Sequence, residues 1–198
     1  MVDTDDGLRA RRRAQTERDI EDAALASFGT SGFESTTMEQ IAASAGVSVR
    51  TAFRYFPSKV DTVLFSARRV SSVIDSDLRP LIERRAPLVE LEDSVARSLT
   101  ALIESDPAVI ARLKQLRALM LRDDRLRGDV MRSEGYAAGM TDPGTEKPAT
   151  LESRLLIELT SATLRAAFDT WASAKDDHEG DLAAHYQRAR EVRESLVS

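Results

Sequence analysis

The segment GVSVRTAFRYFPSK, residues 46–59, holds two arginines, a lysine, three aromatic rings and several hydroxyl groups, but no Asp or Glu. It lies in an acid-free stretch of 21 residues between Glu39 and Asp61, although the chain has 33 acids in 198 residues. Guanidinium groups can bond guanine or phosphate, hydroxyls can bond phosphate, and methyl groups can contact thymine. Because an acidic protein that binds a polyanion must keep its carboxylates off the contact face, this segment predicts a local surface for nucleic acid.

Composition limits the other classes of function. The net charge of −5 excludes general attraction to nucleic acid, so any binding must come from a local patch. The absence of cysteine excludes disulfides and thiolate metal sites, and it is typical of a cytoplasmic protein. No apolar run approaches the ~20 residues that span a bilayer, and none follows the N-terminal arginines as in a secretory signal. We therefore expect a cytoplasmic protein without a membrane partner.

The spacing of apolar residues predicts an all-α chain of about nine helices. A short helix should begin after Thr37, because Gln40 three residues later completes a capping box. Another should run from Ser48 to Tyr55, closed by Pro57. The other expected helices span about 16–28, 58–79, 88–104, 107–120, 124–140, 149–174 and 181–196.

A helix, a turn beginning at Gly46 and a second short helix form a helix-turn-helix, whose second helix enters the major groove of DNA. The alternative is a short amphipathic helix with a solvated arginine face. We expect a flexible basic arm over 1–13, a helix-turn-helix domain over 14–60, and a ligand-binding and dimerisation domain over 61–198. The arginines of the arm either contact DNA or belong to a disordered, solubilising tail.

Landmarks over residues 14–75 resemble the N-terminal domain of the TetR family of transcriptional regulators. They are Phe28-Gly29, Gly32-Phe33, Thr36-Thr37, Ile41-Ala42, Ala45-Gly46-Val47-Ser48 and Tyr55-Phe56-Pro57-Ser58-Lys59. The RTAFRYFPSK segment is similar to regulators of the mycofactocin type. Two departures, Phe53-Arg54 for a frequent Tyr-Tyr pair and Ala52 for a larger apolar residue, leave the base preference open.

The resemblance implies a role for each matching position of the helix-turn-helix. The base-reading positions are Val49, Arg50, Thr51 and Phe53. The phosphate-binding positions are Thr37, Ser48, Arg54, Tyr55 and Lys59. TetR-type regulators also pair through their last two helices into a four-helix bundle, which implies a homodimer.

The predicted helix 149–174 has two apolar faces, which suggests two packing partners. One face should pack on its own domain and the other on a second subunit, although a helix buried within a monomer is the alternative. The expected dimer interface comprises Leu155, Leu159, Ala162, Ala166, Leu182, His185, Ala189 and Val192. The expected ligand pocket, for which a plain core is the alternative, comprises Leu99, Leu102, Leu113, Leu116, Arg117, Met120, Thr163, Leu164, Phe168 and Trp171.

An enzyme is not expected. The sequence has no GxSxG, Walker A or GxGxxG pattern, and its two histidines, His178 and His185, lack a metal-ligand spacing. No metal or cofactor is therefore predicted. We expect a homodimeric repressor that binds a palindromic operator in double-stranded DNA and is released by a small apolar effector. The mycofactocin-type resemblance implies an acyl-CoA as that effector, and the alternative function is a helical adaptor of the same fold that has lost operator binding.

Overall fold

The computed structural model describes residues 3–133, 150–174 and 181–197, which form ten helices and no strand. This architecture confirms the all-α prediction. The helices are α1 (Asp3–Ser31), α2 (Met38–Ser44), α3 (Val49–Tyr55), α4 (Lys59–Val63), α5 (Phe65–Glu83), α6 (Leu88–Ser105), α7 (Pro107–Met120), α8 (Asp124–Ser133), α9 (Leu151–Ser173) and α10 (Leu182–Val197).

The predicted capping box of α2 is confirmed, and α3 also has a side-chain cap. The Thr37 hydroxyl accepts from the Gln40 amide at 3.3 Å, and the Gln40 side chain accepts from the Thr37 amide at 2.9 Å, which completes the capping box. Ser48 caps α3 by accepting from the Thr51 amide at 3.1 Å. Between the two helices Gly46 has φ of 68°, a left-handed conformation that favours glycine, so the turn falls where the sequence predicts it.

The first helix is longer than predicted, since α1 begins at Asp3 rather than near Thr16. Residues 3–13, expected as part of a separate arm, therefore continue this helix. Leu, Ala and Arg, which make up residues 8–13, have high helix propensity. Pairs one turn apart, such as Arg13 with Glu17 at 3.0 Å, add further stabilisation.

The predicted fourth helix is divided at Leu64 into α4 and α5. The Ser66 amide donates to the Glu21 carboxylate of α1 at 2.9 Å, and the Ser66 hydroxyl donates to it at 2.7 Å. This amide would otherwise bond the carbonyl four residues earlier, so the buried carboxylate interrupts the helical ladder. At its other end α5 continues one turn beyond the predicted limit at Arg79, because Ile82 still packs in the core, and the backbone turns at Arg85 with φ of 56°.

The later helices α6, α7, α9 and α10 begin and end within two residues of their predicted limits. Asp106 caps α7 by accepting from the Val109 amide at 3.2 Å, with Pro107 in the first position. α8 ends at Ser133. The remainder of the predicted helix 124–140, the Gly- and Pro-rich loop 139–148 and His178 lie outside the described residues.

Three hydrophobic cores hold the helices together. The first core joins α1–α4 and also contains Leu116 and Met120 of α7 and Leu126 and Val130 of α8. The second core joins α5, α6, α7, α9 and α10 around Trp171. The third core is a small cluster of α5 and α6 residues against α9. The predicted domain limit at residue 60 stays a prediction, but the first core extends beyond it.

Polar contacts also connect the first three helices to the rest of the chain. Arg112 of α7 bonds both carboxylate oxygens of Asp22 in α1, at 2.6 and 2.8 Å. Asp123, between α7 and α8, accepts from the Phe33 amide at 3.3 Å. No helix in the described ranges is long and apolar enough to cross a membrane.

Candidate nucleic-acid interface

Helix α3 is held in place by its inner face and its two ends. Ala52 is fully buried in the first core, and Phe56 is buried immediately after the last turn. At the other end the Ser48 hydroxyl caps the helix and lies 2.8 Å from the Thr51 hydroxyl. With one face buried and both ends fixed, α3 presents its opposite face to solvent.

The exposed face of α3 carries cations without acidic partners. Arg50 and Arg54 are both exposed, and no carboxylate among the described residues forms an ion pair with either of them. Phe53 lies on the same surface with 47% of its area exposed. Both guanidinium groups are therefore available to an external anion, beside an aromatic ring that water solvates poorly.

Tyr55 connects this surface to α1. The Arg54 guanidinium lies 5.0 Å from the centre of the Tyr55 ring, and the Arg13 guanidinium lies 5.7 Å from it. Arg9 is one turn before Arg13 and shares its face of α1. Arg13 of α1 therefore lies beside the cationic surface of α3, while its guanidinium also pairs with Glu17. The spacing of these arginines is that of a helix, but the sequence analysis assigned them to a flexible arm.

Asp61, the acidic residue nearest to α3 along the chain, already has hydrogen-bond partners within the protein. Asp61 accepts from the Ser58 hydroxyl at 2.6 Å and from Arg68 at 2.6 Å. Burial opposes its ionisation, but these hydrogen bonds outweigh that effect and hold the pKa of Asp61 below its ordinary value. The charge of Asp61 is therefore balanced within the protein.

The other two predicted phosphate-binding residues differ in their surroundings. Thr37 is exposed, and its hydroxyl oxygen already accepts from Gln40. The Lys59 ammonium donates to the carbonyls of Phe33, Glu34 and Thr36, the last two at 3.3 and 3.2 Å, and it lies 4.1 Å from the centre of the Phe33 ring. Its phosphate contact stays a prediction, and the structure gives the ammonium a competing role in the loop between α1 and α2.

The predicted dimer residues, with one exception, lie on an open face of α9 and α10. Leu155, Leu159 and Val192 are 54%, 41% and 52% exposed. A groove of about 890 Å³ runs between the two helices, and its lining includes Leu159, Ala162, Ala166, His185, Ala189 and Val192.

Leu182 was wrongly assigned to this face. It is fully buried in the second core together with Tyr186. Leu182, Tyr186 and Arg190 follow one another at steps of four residues on the inner side of α10, and all three are buried. The outer stripe therefore begins at His185.

The predicted ligand residues do not enclose one pocket. Leu99, Leu113 and Trp171 are buried in the second core, with Leu102, Leu164 and Phe168 packed against it. Leu116 and Met120 belong to the first core, Thr163 lines the outer groove, and Arg117 pairs with Asp169 at 2.7 Å. This prediction treated α7 as having one apolar face, whereas α7 lies between two cores and buries residues toward both.

A smaller cavity, of about 150 Å³, lies between α5, α6 and α9, and only Leu164 of the predicted set contacts it. Its lining comprises Ser71, Ile74, Asp75, Leu78, Ile82, Leu91, Val95, Ile157, Thr160, Ser161 and Leu164. Apart from the helical period of α5 and α6, no sequence pattern indicated these residues. No group of acidic and histidine side chains suited to a metal ion occurs in the part of the chain that the structure describes.

Residues 20–64, from α1 to α4, match the family model described as "Bacterial regulatory proteins, tetR family". Residues 20–64 therefore form a TetR-family N-terminal domain. The match covers the capped helices α2 and α3 and the turn at Gly46, the region where the sequence landmarks lie.

Curated relatives of this chain are named as transcriptional regulators. RutR of Escherichia coli K12 is 32% identical over 127 residues, 63% of this chain and 59% of RutR. The repressor KstR of Rhodococcus jostii RHA1 is 27% identical over 177 residues, 87% of this chain and 82% of KstR. MftR of Mycobacterium tuberculosis H37Rv, named for mycofactocin biosynthesis, is 29% identical over 113 residues, 56% of this chain and 54% of MftR. The chain thus spans under two thirds of RutR.

Solved structures of the same fold include two proteins named FadR. The fatty acid degradation regulator FadR from Bacillus halodurans superposes with a TM-score of 0.52 and 19% identity, over 89% of this chain and 93% of that one. FadR from Bacillus subtilis in complex with stearoyl-CoA gives 0.51 and 22%, over 88% and 96%. These similarities show that the helical arrangement is that of TetR-family regulators.

Proposed function

We propose that this chain is a DNA-binding transcriptional repressor that acts as a homodimer and leaves its operator when an effector binds. The observation that carries the proposal is the exposed face of α3. In a chain of net charge −5, this capped helix presents Arg50 and Arg54 to solvent without an acidic partner among the described residues. The names of RutR and KstR, a regulator and a repressor, support the same class.

The outward-facing side chains of α3 and of its surroundings suit different parts of duplex DNA. Arg50 can form a bidentate pair with guanine, while Val49, Thr51 and Phe53 offer apolar contacts to base edges. The remaining polar side chains suit phosphate oxygens, which fix the position of the helix in the groove. They are Thr37, Ser48, Arg54 and Tyr55.

The open groove between α9 and α10 supports a homodimer. Its exposed leucines and valine form an apolar surface with alanines between them, so helices of a second copy could approach closely. Two copies related by a twofold axis would present two α3 helices to successive major grooves, about 34–36 Å apart. A palindromic operator follows from that symmetry.

An acyl-CoA remains the effector that the mycofactocin-type resemblance implies. The complex of Bacillus subtilis FadR with stearoyl-CoA is consistent with it, although that relative is only 22% identical. The α5–α6–α9 cavity of about 150 Å³ does not favour this ligand, since pockets for drug-sized molecules measure roughly 300–1,000 Å³.

The DNA-binding role is tested by comparing Arg50→Ala with Arg97→Ala, which removes an equally exposed arginine from α6. Fluorescence anisotropy would follow binding to the duplex that flanks the protein's own gene and to an unrelated duplex. Arg50→Ala should lose about 1–3 kcal/mol on the specific site, because a bidentate base contact is removed. Arg97→Ala should bind like the wild type. Equal affinity of all three proteins for both duplexes would favour the adaptor function instead.

A further inference from the structure

The α5–α6–α9 cavity lies at the boundary between the second and third cores. Ile74 and Val95 belong to the second core, whereas Ile82 and Leu91 belong to the third. The two clusters do not meet completely, and the remaining space of about 150 Å³ is enclosed mainly by aliphatic side chains. An engineered apolar cavity of about this volume accommodates benzene, so the space suits a molecule of about that size.

Polar side chains border the cavity beside its aliphatic lining. Ser71 and Asp75 lie one turn apart on α5 and are exposed to solvent, and Thr160 and Ser161 are adjacent on α9. The Thr160 hydroxyl donates to the Leu156 carbonyl at 2.8 Å, which leaves its oxygen able to accept. Within the described residues the carboxylate of Asp75 and the hydroxyls of Ser71 and Ser161 have no protein hydrogen-bond partner, so a ligand in the cavity would compete only with water for them.

The Asp75 carboxyl group is exposed at the edge of the cavity, yet the neighbouring side chains partly desolvate it. Desolvation raises the pKa of Asp75 above its ordinary value, and the positive charge of Arg79, one turn later, offsets this effect only in part. A second positive charge on the cavity side would favour the ionised form. The cavity therefore combines an aliphatic pocket with a carboxylate that a cation would stabilise.

We propose that this cavity is the effector site and that its ligand is a compact apolar molecule bearing a primary amine or a similar cationic donor, with Asp75 as the counter-ion. The proposal rests on the proposed function and specifies its effector class. An acyl-CoA is disfavoured by its size and by the repulsion between its phosphates and Asp75. The site can act on DNA binding because α5 carries both Asp75 and Ser66, and Ser66 bonds Glu21 of α1.

The test uses the full-length protein and three probes that share one ring: benzylamine, toluene and benzoate. Isothermal titration calorimetry should show benzylamine binding most tightly, toluene more weakly and benzoate not at all. Asp75→Asn keeps the shape of the side chain but removes its charge, so it should weaken benzylamine binding about tenfold or more and leave toluene unchanged. The matched control is Glu83→Gln, which removes an exposed charge elsewhere on α5 and should bind all probes as the wild type does.

Two further measurements make the outcomes decisive. Ser161→Met should fill the cavity and abolish binding of benzylamine and toluene, with folding checked by circular dichroism. Benzylamine should also weaken binding to the flanking duplex in the wild type but not in Asp75→Asn. The proposal is overturned if no probe binds, if the three probes bind equally, or if Asp75→Asn leaves benzylamine binding unchanged.

The proposed function and this effector class can fail separately. If stearoyl-CoA releases the protein from DNA and benzylamine does not, the proposed regulatory function is supported and the proposed amine site is overturned. The opposite result is a protein that binds neither duplex but binds benzylamine through Asp75. That result would support the amine as the ligand of this cavity and overturn the proposed role as a DNA-binding regulator.

Discussion

Replacing Lys59 with methionine should destabilise the fold while leaving the salt dependence of DNA binding unchanged. The side chain lies over the Phe33 ring, and its ammonium bonds three backbone carbonyls of the α1–α2 loop. Methionine keeps an apolar chain of similar length over the ring but leaves these carbonyls without their donor. The substitution therefore separates the structural role of Lys59 from its predicted phosphate contact.

The magnitude follows from the contacts that are lost. Hydrogen bonds to a charged group contribute about 1.5–3 kcal/mol, and a partly exposed cation–π contact contributes about 0.5–1 kcal/mol. Water can reach the exposed Glu34 carbonyl, whereas Phe33 and Thr36 are buried residues. We expect a loss of about 2–3 kcal/mol in the free energy of unfolding, measured by urea denaturation followed by circular dichroism.

The salt dependence distinguishes the two roles of Lys59. Each phosphate contact adds about 0.9 to the slope of log K against log salt on duplex DNA. Lys59→Met should keep the wild-type slope when binding is measured well below its unfolding midpoint. The control Arg50→Met replaces an exposed side chain of α3 that has no partner among the described residues, so its stability should change by no more than about 0.5 kcal/mol. Unchanged stability of Lys59→Met together with a slope lower by about 0.9 would refute the structural role.

Three further predictions concern the dimer, the turn and the junction of α4 with α5. Ala162→Arg places a charge in the α9–α10 groove and should yield a monomer of unchanged helicity by sedimentation and circular dichroism; a variant that stays dimeric would place the interface elsewhere. Gly46→Ala should cost about 1–2 kcal/mol in urea denaturation through its φ of 68° alone, since a methyl group there would meet no atom within 4 Å; a loss below about 0.5 kcal/mol would contradict this strain. Burial raises the pKa of Glu21 above its ordinary value of 4.5, so the folded state binds the proton of this carboxyl group more tightly than the unfolded state does. The stability of the wild type relative to Glu21→Gln should therefore fall as the pH rises from 4.5. Urea denaturation at about pH 5 and pH 8 checks this sign, and an equal difference at both would show that no raised pKa is present.

The sequence predicted those features of the site that depend on neighbouring residues. The capping box at Thr37 and the turn at Gly46 were correctly placed because a cap or a left-handed turn requires particular residue types within three or four positions. Prediction of α3 as a cationic helix required only the absence of acids and the turn that precedes it. Local chemistry was sufficient for these predictions.

Features that depend on distant contacts were not predictable in this way. The break at Leu64 results from Glu21, 45 positions before the Ser66 amide that it accepts from. Leu113 and Leu116 are one turn apart on α7 yet belong to different cores, because other helices pack on both sides of α7. The α5–α6–α9 cavity arises from incomplete packing between two cores, which no periodicity records.

The residues of α7 and α8 in the first core affect how this protein could be recombined with others. Leu116, Met120, Leu126 and Val130 fill the underside of the helix-turn-helix, so a fragment cut at residue 60 would expose aliphatic surface that these side chains cover. The helix-turn-helix domain is consequently not an independent folding unit that could be moved to another protein. A chimaera that joins it to another ligand-binding domain would fold well only if that domain supplies side chains that complete the first core. Exchange of operator specificity among such regulators is therefore constrained by steric fit beneath the helix-turn-helix domain as well as by the sequence of α3.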